Sequence, residues 1–254
     1  IVNSEGGLHN RITQKIRLLR FNLYEMQQYL ISRRVKLDQY QLLQLYMVMG
    51  GIPHYLREVQ TGESATQCID RVCFSKDGLL FTEFKNLYAA LYDQSDKHIQ
   101  IIKALSAKRS GLTRNEIIAD TGISSGGTIT TVLDELAESG FISTYTPMDK
   151  KTKDTLCRLT DEYSLFYLKF IQGSRTSGNG TWISKANSAS WKSWSGYAFE
   201  NICMKHLYQI KNALGIAGIY TEESPWRFQD KYNGAQIDLL IDRRDRCINI
   251  CEMK

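Results

Sequence analysis

Apolar residues recur at helical spacing through much of this chain. Leu42, Leu43, Leu45, Tyr46 and Met49 fall on one stripe, which Gly50-Gly51-Ile52-Pro53 ends. His54-Tyr55-Leu56 starts another helix, and Leu79, Leu80, Phe84, Leu87, Tyr88 and Leu91 mark a further amphipathic stretch. Residues 38–95 therefore read as helical, with stripes that serve packing. Upstream, Gly6-Gly7 predicts a turn, and the run from Ile12 to Leu23 predicts a strand leading into a short helix around Glu25.

The pattern changes after residue 95. His98 to Ala107 predicts a helix with Ile99, Ile102 and Leu105 inward. Thr113-Arg-Asn-Glu116 has the spacing of a capping box and opens a second helix, which Gly122 closes. Ser124-Ser125 begins a third, with Ile129, Val132, Leu133 and Leu136 inward, stopping at Gly140. Phe141 to Thr146 and Leu156 to Leu159 then alternate as two strands around the basic tip Asp149-Lys150-Lys151-Thr152-Lys153. Three short helices followed by a two-stranded ribbon predict a winged helix-turn-helix.

Phe166, Tyr167 and Phe170 continue a helix, and Gly173 to Gly180 reads as a Ser/Gly/Asn-rich linker. Trp182, Trp191 and Trp194 are read as packing residues. A helix over 196–214 carries Phe199, Ile202, Leu207 and Ile210 on one side, with Glu200 beside that stripe. The last nineteen residues predict two strands joined by a short charged turn, the first beginning at Asp238 and the second ending on Glu252 and Lys254.

Composition narrows the class. The chain has 254 residues, 43% hydrophobic and 11% aromatic, which suits a globular protein with a core. A net charge of +5 permits a nucleic-acid partner without demanding one. The six cysteines form no C-x-x-C pair and have no His at ligand spacing, which argues against structural zinc and for reduced thiols in the cytoplasm. No apolar run is long enough to span a bilayer. The chain opens on Ile-Val-Asn-Ser and stops on a lysine, so we expect a fragment of a longer protein.

Side chains alternate across a strand, so Glu252 and Lys254 share a face with Ile248 and Ile250. A carboxylate and an ammonium are costly to bury without partners, and Asp238 on the neighbouring strand would supply one, with a divalent metal between the carboxylates. This pattern resembles the PD-(D/E)xK nuclease core, with Asp238 as the first acid and Glu252-Met253-Lys254 as the E-x-K. The resemblance implies Mg2+ held by Asp238 and Glu252, with Glu200 on the preceding helix as an extra ligand. Lys254 would orient the attacking water or stabilise charge on the phosphorane, and Gln236, two residues before Asp238, would contact the same water.

For DNA contact the wing offers Lys150, Lys151 and Lys153 to phosphates. The start of the third helix offers Ser124, Ser125, Thr128, Thr130 and Thr131, with no Arg, Lys or Asn for base readout. Asp134, Glu135 and Glu138 at its far end would repel phosphate. Non-specific DNA contact and a protein-binding role are both open. Arg11 is a weak candidate for facing a nucleotide phosphate, and no G-x-x-x-x-G-K-[ST] occurs in the chain.

Five segments together carry a broader resemblance: Arg17-Leu-Leu-Arg-Phe-Asn-Leu-Tyr-Glu25, Tyr46-Met-Val-Met-Gly-Gly-Ile-Pro-His-Tyr-Leu56, Gly111 to Ile118, Asp161-Glu-Tyr-Ser-Leu-Phe-Tyr-Leu168 and Trp194-Ser-Gly-Tyr-Ala-Phe-Glu200. In these the chain resembles the archaeal-type AAA/STAND P-loop ATPases of prokaryotes. The resemblance implies an α+β, predominantly helical chain. Residues 1–30 would be the C-terminal end of an ATPase core, 31–95 a helical lid, 96–165 the winged helix-turn-helix, and 166–254 a truncated PD-(D/E)xK-like domain. ATP would bind only in the full-length protein. The expected function is a nucleotide switch coupled to a DNA-directed, metal-dependent nuclease-like module. The alternative is a non-enzymatic DNA- or protein-binding module with an inactive nuclease-like fold.

Overall fold

In the computed structural model the described residues are 16–148, 150, 152–174, 178–229 and 233–254. They form a mixed α+β protein in which helices and two small antiparallel sheets pack in sequence order. The first part is helical: α1 (Leu23–Ser32), α2 (Gln39–Met49), α3 (Pro53–Leu56), α4 (Ala65–Phe74) and α5 (Leu79–Leu91). Local chemistry sets their starts. Asn22 and Glu25 cap each other reciprocally at α1, as Ser64 and Gln67 do at α4, and Pro53 occupies the first turn of α3. The helix expected around Glu25 is therefore present. The strand expected to lead into it is not: residues 16–22 have no regular structure, and the part upstream of 16 lies outside the described residues. Among the described residues, no strand pairs with this segment. Instead the Phe21 amide donates to the Gly51 carbonyl at 2.8 Å, while Ile16, Leu18 and Leu19 stay exposed.

That crossing is the centre of a junction between distant segments. Tyr46 donates from its hydroxyl to the Phe21 carbonyl at 2.8 Å. Arg20 pairs with Asp161 and lies 3.5 Å from Glu162, whose other oxygen accepts from Lys205 at 2.6 Å. The Leu23 amide donates to His206 Nε2 at 3.0 Å, which places the imidazole proton on Nδ1, where it donates to the Ile202 carbonyl. Buried carboxylates need such partners. Burial works against both charges, yet the Asp161 and Glu162 charges leave the Arg20 pKa raised. The Arg20 charge and the Ser164 hydrogen bonds likewise leave Asp161 below the usual carboxylate range. Four of the five segments that carried the sequence resemblance supply this junction or the helix packed on it, so their residues here hold structure together.

The middle part contains α6 (Ser95–Ala107), β1 (Leu112–Thr113), α7 (Arg114–Thr121), α8 (Gly127–Glu138), β2 (Ile142–Tyr145) and β3 (Leu156–Leu159). The Thr113–Glu116 capping box and a left-handed Gly122 bound α7 as expected. On α6 the buried residues are His98, Ile101, Ile102 and Leu105, with Ile99 only partly buried. The third helix starts at Gly127 rather than Ser124, because no side chain caps its first turn and Ser125 sits in the preceding turn. The pattern also missed β1, which is two residues long and pairs with β3, giving strand order β1-β3-β2.

The chain then runs through α9 (Glu162–Phe166) and a π-turn (Tyr167–Ile171) into a segment expected to be loose. Its described end is fastened: Asp70 accepts from the Gly180 amide at 2.7 Å and the Trp182 amide at 2.5 Å. This seats Trp182 flat against Phe74 and edge-on to Phe166, Phe170 and Trp191, so the tryptophans pack as expected. Burying each such ring is worth roughly 1.5–3 kcal/mol, enough to overcome the composition of a linker.

The expected helix over 196–214 is two helices. α10 (Ala189–Lys205) begins earlier, capped by Ser188, and breaks at His206 before α11 (Leu207–Ala213). An antiparallel sheet follows, β4 (Thr221–Gln229), β5 (Gly234–Arg243) and β6 (Cys247–Cys251), in order β4-β5-β6. The first strand of the expected hairpin thus starts at Gly234, and β4 is a third strand that the sequence reading did not predict. A register shift between Ser224 and Trp226 accommodates Pro225. Leu239 and Ile241 form a small core with Ile216, Met204 and Leu207, and Lys211 ties α11 to β4 through Glu223 at 2.7 Å. Among the described residues, no helix is long and apolar enough to cross a membrane.

Candidate functional site

A cavity of about 420 Å3 lies where the β2–β3 ribbon of the middle part meets the C-terminal sheet. Arg109, Lys150 and Arg158 line it from the middle part, and Tyr197, Glu200 and Asp238 from the C-terminal part. Each arrives for a local reason. Arg109 follows the end of α6, and Arg158 is the polar member of β3, between Cys157 and Leu159. Tyr197 and Glu200 are three apart on α10 and share one of its faces. Asp238 lies on β5, where Gln236, also lining the cavity, donates to it at 3.4 Å.

Glu200 and Asp238 are the acids this geometry brings together. Burial first, and then the Asp238 charge, raise the Glu200 pKa, against the opposing pull of Arg158 and Arg109. The Cys203 thiol on the same helix is pushed up to about 11, by burial and then by the charges of Glu200 and Asp238. The other oxygen of Asp238 accepts from the Met253 amide at 2.9 Å, so the carboxylate is braced by the end of β6.

The E-x-K half of the expected site is arranged differently. The register pairing Leu239 with Cys251 sets Glu252 opposite Asp238, just beyond the end of β6. Glu252 pairs with Lys254 at 3.4 Å, and their side chains are 62% and 82% exposed. Ile250 and Ile248, two and four residues before Glu252, are exposed too. The cost of burial that would have forced partners on Glu252 and Lys254 is therefore not incurred. Among the described residues no group of three or more His, Cys, Asp or Glu side chains is placed to hold a metal ion, so Asp238, Glu252 and Glu200 do not form a three-ligand set. Glu200 and Asp238 remain a pair of hard oxygen donors suited to Mg2+.

The expected DNA contacts also divide. Lys150 lines the cavity, and Lys153 is exposed between β2 and β3. Ser125 is exposed in the turn before α8, and Thr128 lies on the first turn beside His98 and Glu135 in a separate open cleft. Of the acids on α8, Glu135 pairs with His98 at 2.8 Å and Glu138 with Arg17 at 3.3 Å. Lys151 and Arg11 lie outside the described residues.

Sequence reasoning missed Arg109, Arg158, Tyr197 and Trp226. A signal existed for two of them: a lone arginine inside an apolar strand, and a tyrosine one helical turn before Glu200. Arg158 and Arg109 both sit over the Tyr197 ring, at 4.9 and 5.1 Å from its centre. Comparison with family models, with curated proteins and with solved structures finds no match for this chain.

Proposed function

We propose that residues 96–254 act as a DNA-directed unit, a winged helix-turn-helix joined to a PD-(D/E)xK-like domain, within a protein whose ATP-binding core is supplied by a longer chain. The observation that carries this reading is the meeting of Glu200 and Asp238 in one cavity with Arg109, Lys150 and Arg158 beside them. Acids suited to a divalent ion and cations suited to a phosphate together fit metal-dependent phosphodiester chemistry. Support for the winged helix is the order of three helices with a β1-β3-β2 sheet, and the basic residues Lys150 and Lys153 between β2 and β3.

In this reading Asp238 and Glu200 hold Mg2+, which when bound supplies Lewis-acid polarisation of a phosphate. Gln236 orients Asp238, and the Met253 amide fixes its second oxygen. Partners would be DNA, bound without strong sequence preference because α8 offers serine and threonine rather than base-reading side chains. The solvent-exposed Glu252–Lys254 pair favours a second reading, a module that binds DNA or a protein without cutting.

A cleavage assay separates the two. Plasmid and single-stranded DNA are incubated with Mg2+ or Mn2+, with and without ATP, beside Asp238→Ala. Metal-dependent cleavage that the substitution abolishes supports the nuclease. DNA binding with no cleavage under any condition supports the recognition module.

A further inference from the structure

We propose that the cavity between the wing and the C-terminal sheet binds one nucleoside phosphate, presented as a free nucleotide or as an unpaired nucleotide of a DNA strand. The argument starts with Arg158. Its side chain is 9% exposed, its Nε has no hydrogen-bond partner, and its Nη2 lies 3.8 Å from Glu200, too far for a hydrogen bond. A buried guanidinium left so poorly paired is costly, and a bound anion is the usual remedy. Arg109 shares the Tyr197 ring with it, so two like charges are held close to one another at the cavity wall. Lys150 adds a third from the wing. An oxyanion among the three would relieve their repulsion and take up the free donors.

The remaining wall is of another kind. Tyr145 and Trp226 present aromatic surface, and Tyr145 is fixed by donating to the Ser110 carbonyl at 2.6 Å. Aromatic faces beside a cationic patch suit a base joined to a phosphate. Without a bound metal ion, Glu200 and Asp238 would repel that phosphate and so direct it to the arginine side, leaving the acids and Gln236 to meet N–H and hydroxyl donors of the base or sugar. The volume of about 420 Å3 falls within the roughly 300–1,000 Å3 typical of ligand clefts.

The inference rests on the reading of this region as DNA-directed, but it needs no cleavage. Its test is therefore run in EDTA, so that a missing nuclease activity does not affect it. Thymidine 5′-monophosphate and a 5′-phosphorylated ten-nucleotide thymidine strand are titrated calorimetrically into the chain, into Arg109→Ala and into Trp226→Leu. Circular dichroism confirms that each variant is folded, and Arg109 is exposed, so its truncation leaves the core untouched. We expect at least one probe to bind and both substitutions to weaken it about tenfold or more. Binding of the mononucleotide as well as the strand would identify a free-nucleotide site, and binding of the strand alone an unpaired-nucleotide site. Failure of both probes to bind, or binding indifferent to either substitution, overturns the proposal.

Discussion

Gly51 lies directly beneath the backbone of Phe21: a Cβ at position 51 would meet the Phe21 carbonyl oxygen at 1.8 Å. Backbone cannot give way as a side chain can, and the same two residues are joined by the Phe21 amide to Gly51 carbonyl bond. Gly51→Ala is expected to destabilise the chain by about 1–3 kcal/mol, the cost of overpacking. Urea unfolding measures it. Gly196→Ala is the matched control, because that glycine is inside α10 with nothing within 4 Å of its added Cβ. It should stabilise by roughly 0.5–1 kcal/mol through helix propensity.

Removing Arg20 leaves Asp161 and Glu162, both nearly buried, short of a counter-charge. Arg20→Ala is expected to cost about 3–5 kcal/mol at neutral pH, as other broken buried pairs do. The pH dependence gives a second reading. Asp161 is held below its ordinary 3.8, so the stability it contributes is present above that value and is lost as the pH falls through its lower folded value. The variant should therefore show a shallower acid limb in thermal melts between pH 4 and pH 2. An unchanged limb would mean that Arg20 does not hold the Asp161 charge.

Glu116 offers an exposed counterpart. Lys108, with the Thr113 amide and hydroxyl, draws it from 4.5 down to about 2. Its contribution is present above pH 4.5 and disappears as the pH approaches 2. Glu116→Gln should reduce stability at neutral pH by an amount limited by solvent screening, and the difference from the parent should vanish near pH 2. Paired thermal melts across that range give the answer.

Glu200 and Asp238 form the coupled pair of the candidate site. Burial holds the Glu200 pKa up and the Asp238 charge adds to it, so Asp238→Asn should lower it part of the way. Carboxyl carbon shifts followed by NMR titration would show the change. A Glu200 pKa that stays in place would separate the two acids and remove the pair on which a shared metal depends.

Much of this protein was legible in residue order wherever the governing interactions are local. The Thr113–Glu116 capping box and the Gly122 stop are determined by groups within one turn of each other, and both stand in the structure; the helix expected from His54 begins one residue earlier, at Pro53. The charged turn between β5 and β6 followed from Arg244, Asp245 and Arg246. Long-range effects were not legible. Asp70 fastens a glycine-rich stretch more than a hundred residues away, and β1 is two residues with meaning only beside β3. β4, which the sequence reading did not predict, pairs along β5 with a register shift where Pro225 stands.

The candidate site divides along the same line. The sequence named Lys150 as part of a basic ribbon tip, and its resemblance to the PD-(D/E)xK core implied Asp238, Glu200 and Gln236. Only the tertiary structure decided that these four share a cavity with Arg109, Arg158 and Tyr197, while Glu252 and Lys254 turn to solvent. Alternation fixes which side of a strand a residue takes, but whether that side is covered depends on elements far away in the chain. The cost of burying a charge, and with it the need for a partner, arises only there.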